Sequence, residues 1–434
     1  MSLAATAWLA RDAALRQRDA LLDTGVVAER IGRLIGADGR VAVDRCERLR
    51  VNYQIGKSLR VLHRVDAAGA SWTISARAFR DGRGERAYDE ACATSVPCAG
   101  VRPVFYDAEL NTVFWVFPND RKIAGLAAVA AGRLPPLDGF PFLWRSTRLA
   151  AYAPEKSATL ACLDARGAVV AYAKVAAHDQ AERDHNRYRA LSASADGNPY
   201  LRLPRSLGYL PQHRVLLLEA IAGRRMDDAA AGGDAVQDAV RLGVALAAFH
   251  ALPAPVGAPA FIRFTEDRLV ETRRLVACVR PDVEQPVDAL VRELISRRSD
   301  DGDTPVCLHG DVHPKNAIVT DRGVALIDVE DLAVGPAAAD VGSFLAALLY
   351  LRRGGRLDRA THDAMARAFL LGYRSSRRLP ARTSLRWHTA AALLIERIFR
   401  AVTRVRPLGL LHLPGLLGDA RALLTEHRDD DVES

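Results

Sequence analysis

Val306-Cys-Leu-His309-Gly310-Asp311-Val-His313-Pro-Lys315-Asn316, read together with the Val324-Ala-Leu-Ile327-Asp328 that follows it, decides the fold. A short apolar run, residues 317–319, leaves the polar loop, and the turn Thr320-Asp-Arg-Gly323 sends the chain back along it. A hairpin of this kind places Asp311, Asn316 and Asp328 at one end, so three oxygen-bearing side chains are expected to converge. Taken singly, an Asp or Asn in a loop serves turn geometry. Turn geometry does not explain the set.

Such a set suits phosphoryl transfer, which depends on positioning and charge neutralisation more than on covalent help. Asp311 can accept the proton of an acceptor hydroxyl, while Asn316 and Asp328 offer the hard oxygen ligands that magnesium prefers.

The pattern H-G-D-x-x-x-x-N followed by I-D resembles the aminoglycoside phosphotransferase and choline kinase group of small-molecule kinases, and the resemblance extends over residues 146 to 350. It implies an α+β, bilobal protein-kinase-like fold, with a β-rich N-lobe and a helical C-lobe. It also implies ATP and Mg2+ as cofactors, and a small-molecule hydroxyl acceptor. In Ala173-Lys174-Val175, Lys174 resembles the strand lysine that holds the α- and β-phosphates. Its carboxylate partner would be Glu182 or Asp184 in the next helix, with Glu182 preferred. Leu216-Leu-Leu-Glu219-Ala-Ile221 resembles the strand and hinge that read adenine, through the Glu219 carbonyl and the Ile221 amide. His250 resembles a buried C-lobe histidine, Asp340 the aspartate that braces the catalytic loop, and His309 a structural residue of that loop.

The departures also inform. No glycine-rich loop precedes Lys174; the turn there is Ala153-Pro-Glu-Lys156-Ser157, where Lys156 is a candidate to replace part of the phosphate cradle. The metal motif reads Asp328-Val-Glu330-Asp331, and only eleven residues separate Asp328 from Asp340, too few for a loop on which a peptide substrate docks. The acceptor is expected against the C-terminal helices, near Trp387, Glu396 and Arg397. An aminoglycoside, an amino alcohol or a sugar fits the resemblance, and the Arg-rich C-lobe favours a sugar or similar hydroxylated metabolite. A different class, a nucleotide-binding pseudokinase or scaffold, has against it the intact Lys174, Asp311, Asn316 and Asp328. His313 and Lys315 read equally well as solvent-facing loop residues and as substrate contacts.

A repeat occupies the first half. Tyr53-Gln-Ile-Gly-Lys57-Ser58, an apolar run, the turn DAAGA and a second run correspond to Tyr152-Ala-Pro-Glu-Lys156-Ser157, an apolar run, the turn DARGA and a second run. With Asp66 laid on Asp164 and Gly69 on Gly167, Lys174 faces Ala76, or Arg77 with one gap, so the first copy reads as a shape that has lost its lysine. The expected organisation is a cap over 1–145, a degenerate N-lobe-like unit resembling the N-terminal cap of maltokinases, then an N-lobe over 146–222 and a C-lobe over 223–434. Gly132–Gly139 is the expected linker on its Pro and Gly content.

Composition bounds the rest. At 434 residues, 49% hydrophobic and 26% charged, the chain is long enough for two or three folded units. Arginine supplies nearly all of the 60 basic residues behind the +8 net charge; the lysines are Lys57, Lys122, Lys156, Lys174 and Lys315. No basic block of the nucleic-acid-arm kind is present, so an anionic ligand is the expected partner and nucleic acid is not. Six cysteines show no metal spacing, and no run reaches the roughly 18 apolar residues of a membrane span. A cytoplasmic location follows as the expectation; oligomeric state stays open.

Overall fold

The computed structural model describes residues 5–36, 39–80, 82–132, 144–227, 234–298 and 304–425. The chain divides into two compact units, one of residues 1–185, 206–220 and 403–405, the other of 186–205, 221–402 and 406–434. Among the described residues, no helix is long and apolar enough to cross a membrane.

In the first unit, β1 (Arg45–Gln54), β2 (Ser58–Ala67), β3 (Ala70–Ala78), β4 (Val104–Asp107) and β5 (Thr112–Val116) form an antiparallel sheet in the order β1-β2-β3-β5-β4. The strands β6 (Ser146–Ala153), β7 (Ser157–Leu163) and β8 (Val169–Ala176) begin a second sheet. After the two-residue β9 (Leu201–Arg202), which belongs to the second unit, β10 (Ser206–Leu210) and β11 (Val215–Glu219) complete it in the order β6-β7-β8-β11-β10. The two orders are the same, and each sheet carries a helix after its third strand, Arg83–Cys92 in one and Ala181–Ser194 in the other.

The duplication extends to hydrogen bonds that the sequence match did not include. Asp12 Oδ2 accepts from the Tyr53 hydroxyl at 2.6 Å and the Gly56 amide at 3.0 Å, while its Oδ1 accepts from the amides of Ala14 and Leu15. Asp120 does the same one copy later: Oδ2 accepts from the Tyr152 hydroxyl at 2.6 Å and the Glu155 amide at 3.0 Å, and Oδ1 from the amides of Lys122 and Ile123. In both copies the turn residue is left-handed, Gly56 at φ 67° and Glu155 at φ 63°. Burial would raise the Asp12 carboxyl, but Tyr53 and the three amides together hold it below its ordinary value.

The second copy thus starts near Asp120, upstream of the expected boundary at 145. Ile123, Leu126 and Val129 are buried in one core with Tyr152, Leu160, Val175 and Leu217, and Leu62 of the first copy joins the same cluster. Burying a side chain such as Leu126 contributes about 2 kcal/mol, so these contacts bind the copies together. Ala87, Ala91, Val104, Val113 and Trp115 form a smaller core of the first copy alone. Beyond Gly132, the expected linker lies outside the described residues.

Strand register answers the question the alignment left open. Lys174 pairs with Thr159 on β7 and Leu216 on β11; Arg77 pairs with Arg60 on β2 and Val113 on β5. Thr159 and Arg60 each stand two places after the serine that opens their strand. Arg77 is therefore the counterpart of Lys174, and the first copy has exchanged a cation there rather than lost it.

The second unit is mainly helical. The helix Ala235–Phe249 packs along Arg359–Arg374 at paired glycines: a Cβ on Gly372 would stand 2.1 Å from the Val240 carbonyl, and one on Gly243 2.1 Å from that of Phe369. β12 (Arg224–Arg225), β14 (Ala317–Val319) and β15 (Val324–Leu326) join β9 in a small sheet, and β13 (Val306–Leu308) pairs with β16 (Ala333–Gly335). Near its end, the helix Arg382–Ala392 widens into a π-helical segment, Leu393–Ile398, a feature often found at functional sites.

Candidate active site

The catalytic-loop candidate hangs between β13 and β14, and its backbone is held from below by one buried carboxylate. Asp340, in the first turn of the helix Ala338–Arg353, accepts from the His309 amide at 2.7 Å and the Gly310 amide at 2.9 Å. Its Oδ2 also lies 3.1 Å from His250 Nε2, whose other ring nitrogen is 2.8 Å from the Tyr373 hydroxyl. Burial alone would raise the Asp340 carboxyl, but the His250 hydrogen bond, the nearby histidines and the Gly310 amide leave it below its ordinary value. The His309 ring acts locally: Nδ1 accepts from the Asp311 amide, so Nε2 carries the proton and donates to the Ile327 carbonyl at 2.9 Å.

Gly310 sits at φ 83°, and a Cβ there would stand 2.0 Å from the Asp331 carbonyl oxygen. Replacing it with alanine is expected to cost about 3 kcal/mol or more, from left-handed strain plus displacement of the 329–331 turn, read as a lowered urea midpoint.

Asp311, Asn316 and Asp328 lie at the same end of the hairpin. The Asn316 side-chain amide donates to the Asp311 carbonyl at 3.0 Å, and the Ile327 amide donates to the Asn316 carbonyl at 3.0 Å, which ties both ends of the hairpin together. Asp328 is exposed and left-handed, at φ 66°. With its NH2 engaged, the Asn316 side chain presents its oxygen as the remaining polar atom. Magnesium keeps several waters and takes one or two protein oxygens beside those of phosphate, so an Asn–Asp pair fits it. Asp331, by contrast, is held by Arg263 at 2.8 Å.

Asp311 itself faces an arginine and a histidine. Arg400 Nη1 lies 3.0 Å from Oδ1, and His313 Nε2 lies 3.4 Å from Oδ2. His313 Nδ1 accepts from the Lys315 amide, so the proton sits on the nitrogen nearer Asp311. Burial would raise the Asp311 carboxyl; the hydrogen bond of His313 with the charges of Arg400 and Arg263 overrides it, and the group is held well below the usual carboxylate range. Burial, followed by Arg397 and Arg400, lowers His313 despite Asp311, so the ring is neutral near pH 7. Burial lowers Lys315 as well, and the charges of Arg406, Arg356 and Arg225 push the same way.

Several supporting residues gave no sequence signal. Arg263 donates to the Gly310 carbonyl and to Glu396 at 2.6 Å, and the Ser343 hydroxyl joins Glu396 to the Val312 carbonyl, so the π-helical segment grips the loop from the other side. Glu396 and Arg397 are both buried beside this loop, whereas Trp387 donates its indole N–H to the Leu294 carbonyl and belongs to the core. In the first unit, Lys174 is half-buried on β8 and Lys156 is exposed. Glu182, the preferred carboxylate, is exposed; Asp184, four residues before the buried Tyr188, is the inward one, because a helix buries positions at that spacing. Glu219 ends β11, and the division between the units falls after Ala220, just before Ile221.

A β-sheet unit with the strand lysine and a helical unit with a braced H-G-D-x-x-x-x-N loop define a phosphotransferase. The sequence profile of the phosphotransferase enzyme family matches residues 163–388, just over half the chain, and the chain belongs to that family as a small-molecule kinase. Among solved structures it is similar to a choline/ethanolamine kinase family protein from Mesorhizobium loti, with 15% identity over 69% of this chain and 93% of that one and a TM-score of 0.46. It is also similar to spectinomycin phosphotransferase in complex with ADP and spectinomycin, with 15% identity over 65% and 94% and a TM-score of 0.48. A macrolide 2'-phosphotransferase from Brachybacterium faecium shows 18% identity over 69% and 98%, with a TM-score of 0.40. Identities this low carry no information on substrate. No curated protein is similar enough to match.

Proposed function

We propose that the protein transfers the γ-phosphoryl group of ATP, with magnesium, to a hydroxyl of a sugar or other neutral or anionic hydroxylated metabolite. The observation that carries this reading is Asp311, held ionised by His313 and Arg400 on a loop braced through Asp340. Asp311 accepts the acceptor's proton; Asn316 and Asp328 hold the metal, which supplies charge neutralisation at the phosphates. Lys174, with Asp184, positions the α- and β-phosphates, Lys156 supports them, and the backbone at Glu219 and Ile221 reads the base.

The acceptor class follows from charge. Arg397, Arg400 and Arg406 crowd the same region as Lys315, and Glu396 is already engaged by Arg263. A polycationic acceptor would meet repulsion there, whereas a neutral polyol or an anion would not. The test is magnesium-dependent ATP turnover against panels of sugars, sugar acids, amino alcohols and aminoglycosides, with products read by mass. Turnover stimulated by a neutral or anionic acceptor, and lost in Lys174→Met, is the expected result. Tight ATP binding without product from any acceptor would favour the scaffold reading, and selective use of aminoglycosides would overturn the charge argument.

A further inference from the structure

The first repeat, with Arg121 at the start of the second, encloses a cavity of about 330 Å³ whose wall carries six cations: Lys57, Arg77, Arg80, Arg83, Arg86 and Arg121. Among the described residues, two carboxylates answer them. Glu90 on the wall is held by Arg86 at 2.9 Å, and the buried Glu155 behind it is shared by Arg60 at 3.4 Å, Arg121 at 3.5 Å and Arg77. One carboxylate cannot neutralise three guanidinium groups in a partly buried setting. The strain is visible at Arg77, which burial lowers first; Glu155 opposes that, and the charges of Arg121, Arg60 and Arg83 lower it further. The Nε atoms of Arg60 and Arg77 are buried without a hydrogen-bond partner.

The geometry has the marks of a site. Arg77 stands at the register position of Lys174, the strand lysine of the other copy, and Lys57 is the turn counterpart of Lys156. Phe79 lies under the guanidinium groups of Arg77 and Arg121, 5.1 and 5.9 Å from its ring centre, which orders them. The helix Arg83–Cys92 starts at the pocket; its Gly84 amide donates to Asn111 Oδ1 at 3.0 Å, and the positive end of the helix adds to the field. Where the matching helix of the second copy opens with Glu182 and Asp184, this one turns Arg83 and Arg86 to the cavity.

We propose that this pocket binds a small phosphorylated molecule with two or more negative charges. Its volume is at the low end of roughly 300–1,000 Å³ for small-molecule sites, which favours a compact phosphoanion over a polymer. With cations in place of the carboxylate that partners Lys174, and no counterpart of Asn316 and Asp328 among the described residues of its lining, it serves binding without magnesium rather than transfer. The first copy is then a ligand-sensing counterpart of the nucleotide-binding lobe.

The experiment is calorimetric titration of full-length protein with inorganic pyrophosphate in the absence of magnesium. Three forms are compared: wild type, Lys174→Met, and the double variant Lys57→Gln/Arg83→Gln, whose altered residues are exposed and leave the fold intact. Binding is expected to persist within about twofold in Lys174→Met and to weaken at least about tenfold in the double variant, with its thermal midpoint unchanged. No binding to wild type, an unaffected double variant, or loss in Lys174→Met would overturn the proposal. So would a single-stranded RNA that binds at this pocket while pyrophosphate does not.

Discussion

An Asp311→Asn variant is expected to retain ATP binding and to lose turnover by about 100- to 10,000-fold, the contribution of a positioned general base. The substitution keeps the shape and removes the charge that Arg400 and His313 face. The effect should fall on kcat, with the ATP Kd within about twofold, because an interaction made with the reacting hydroxyl is realised in the transition state. The pH profile checks the same point independently. Since the Asp311 carboxyl is held well below its ordinary value, it stays ionised as pH falls, and wild-type kcat/KM should show no acid limb from this group above about pH 4. Arg400→Gln removes one of the stabilising charges while burial continues to raise the group. Its acid limb is therefore expected to move upward, and an unshifted profile would place the working base elsewhere.

Asp340→Ala should be the most destabilising single change in the helical unit, by about 3–5 kcal/mol in urea denaturation. Three donors would lose their acceptor at once, the amides of His309 and Gly310 and the ring of His250, all in a site closed to water. Asp340→Asn keeps one acceptor oxygen and should cost less. The folded-state pKa of Asp340 is depressed, so its charge-dependent contribution is fully present above the unfolded value near 3.9 and is lost as pH falls through the folded one. The gap between wild type and Asp340→Asn should accordingly narrow below about pH 4. A gap that widened on acidification would mean that the carboxylate is not the stabilising species.

Much of this molecule could be read from local pattern. The hairpin after Asn316 needed only a turn between two short apolar runs, and it put Asp311, Asn316 and Asp328 at one end of the chain reversal, because register follows from turn length. The repeat was legible for the same reason: alternation, a Gly turn and order along the chain survive in sequence. Its beginning was not. Asp12 and Asp120 are separated from their tyrosines by 41 and 32 residues, and the short helix that joins the second copy to its core gives no sign of where it packs. The choice between Glu182 and Asp184 was not legible either, since two acids in one helical turn differ only in which side the fold buries, and here Asp184 is the buried one.

By itself, then, the order of residues determined the kind of strands and helices, the hairpin loop that carries the candidate aspartate and asparagine, the duplicated N-terminal half and the family, all properties of short spans of chain. Tertiary structure decided which distant residues answer them. Arg400 was brought onto Asp311 across 89 positions, Arg263 onto Glu396 across 133, and Arg60 and Arg77 onto a glutamate in the next repeat. Charge and burial act through space, and no local pattern records which guanidinium will lie beside which carboxylate.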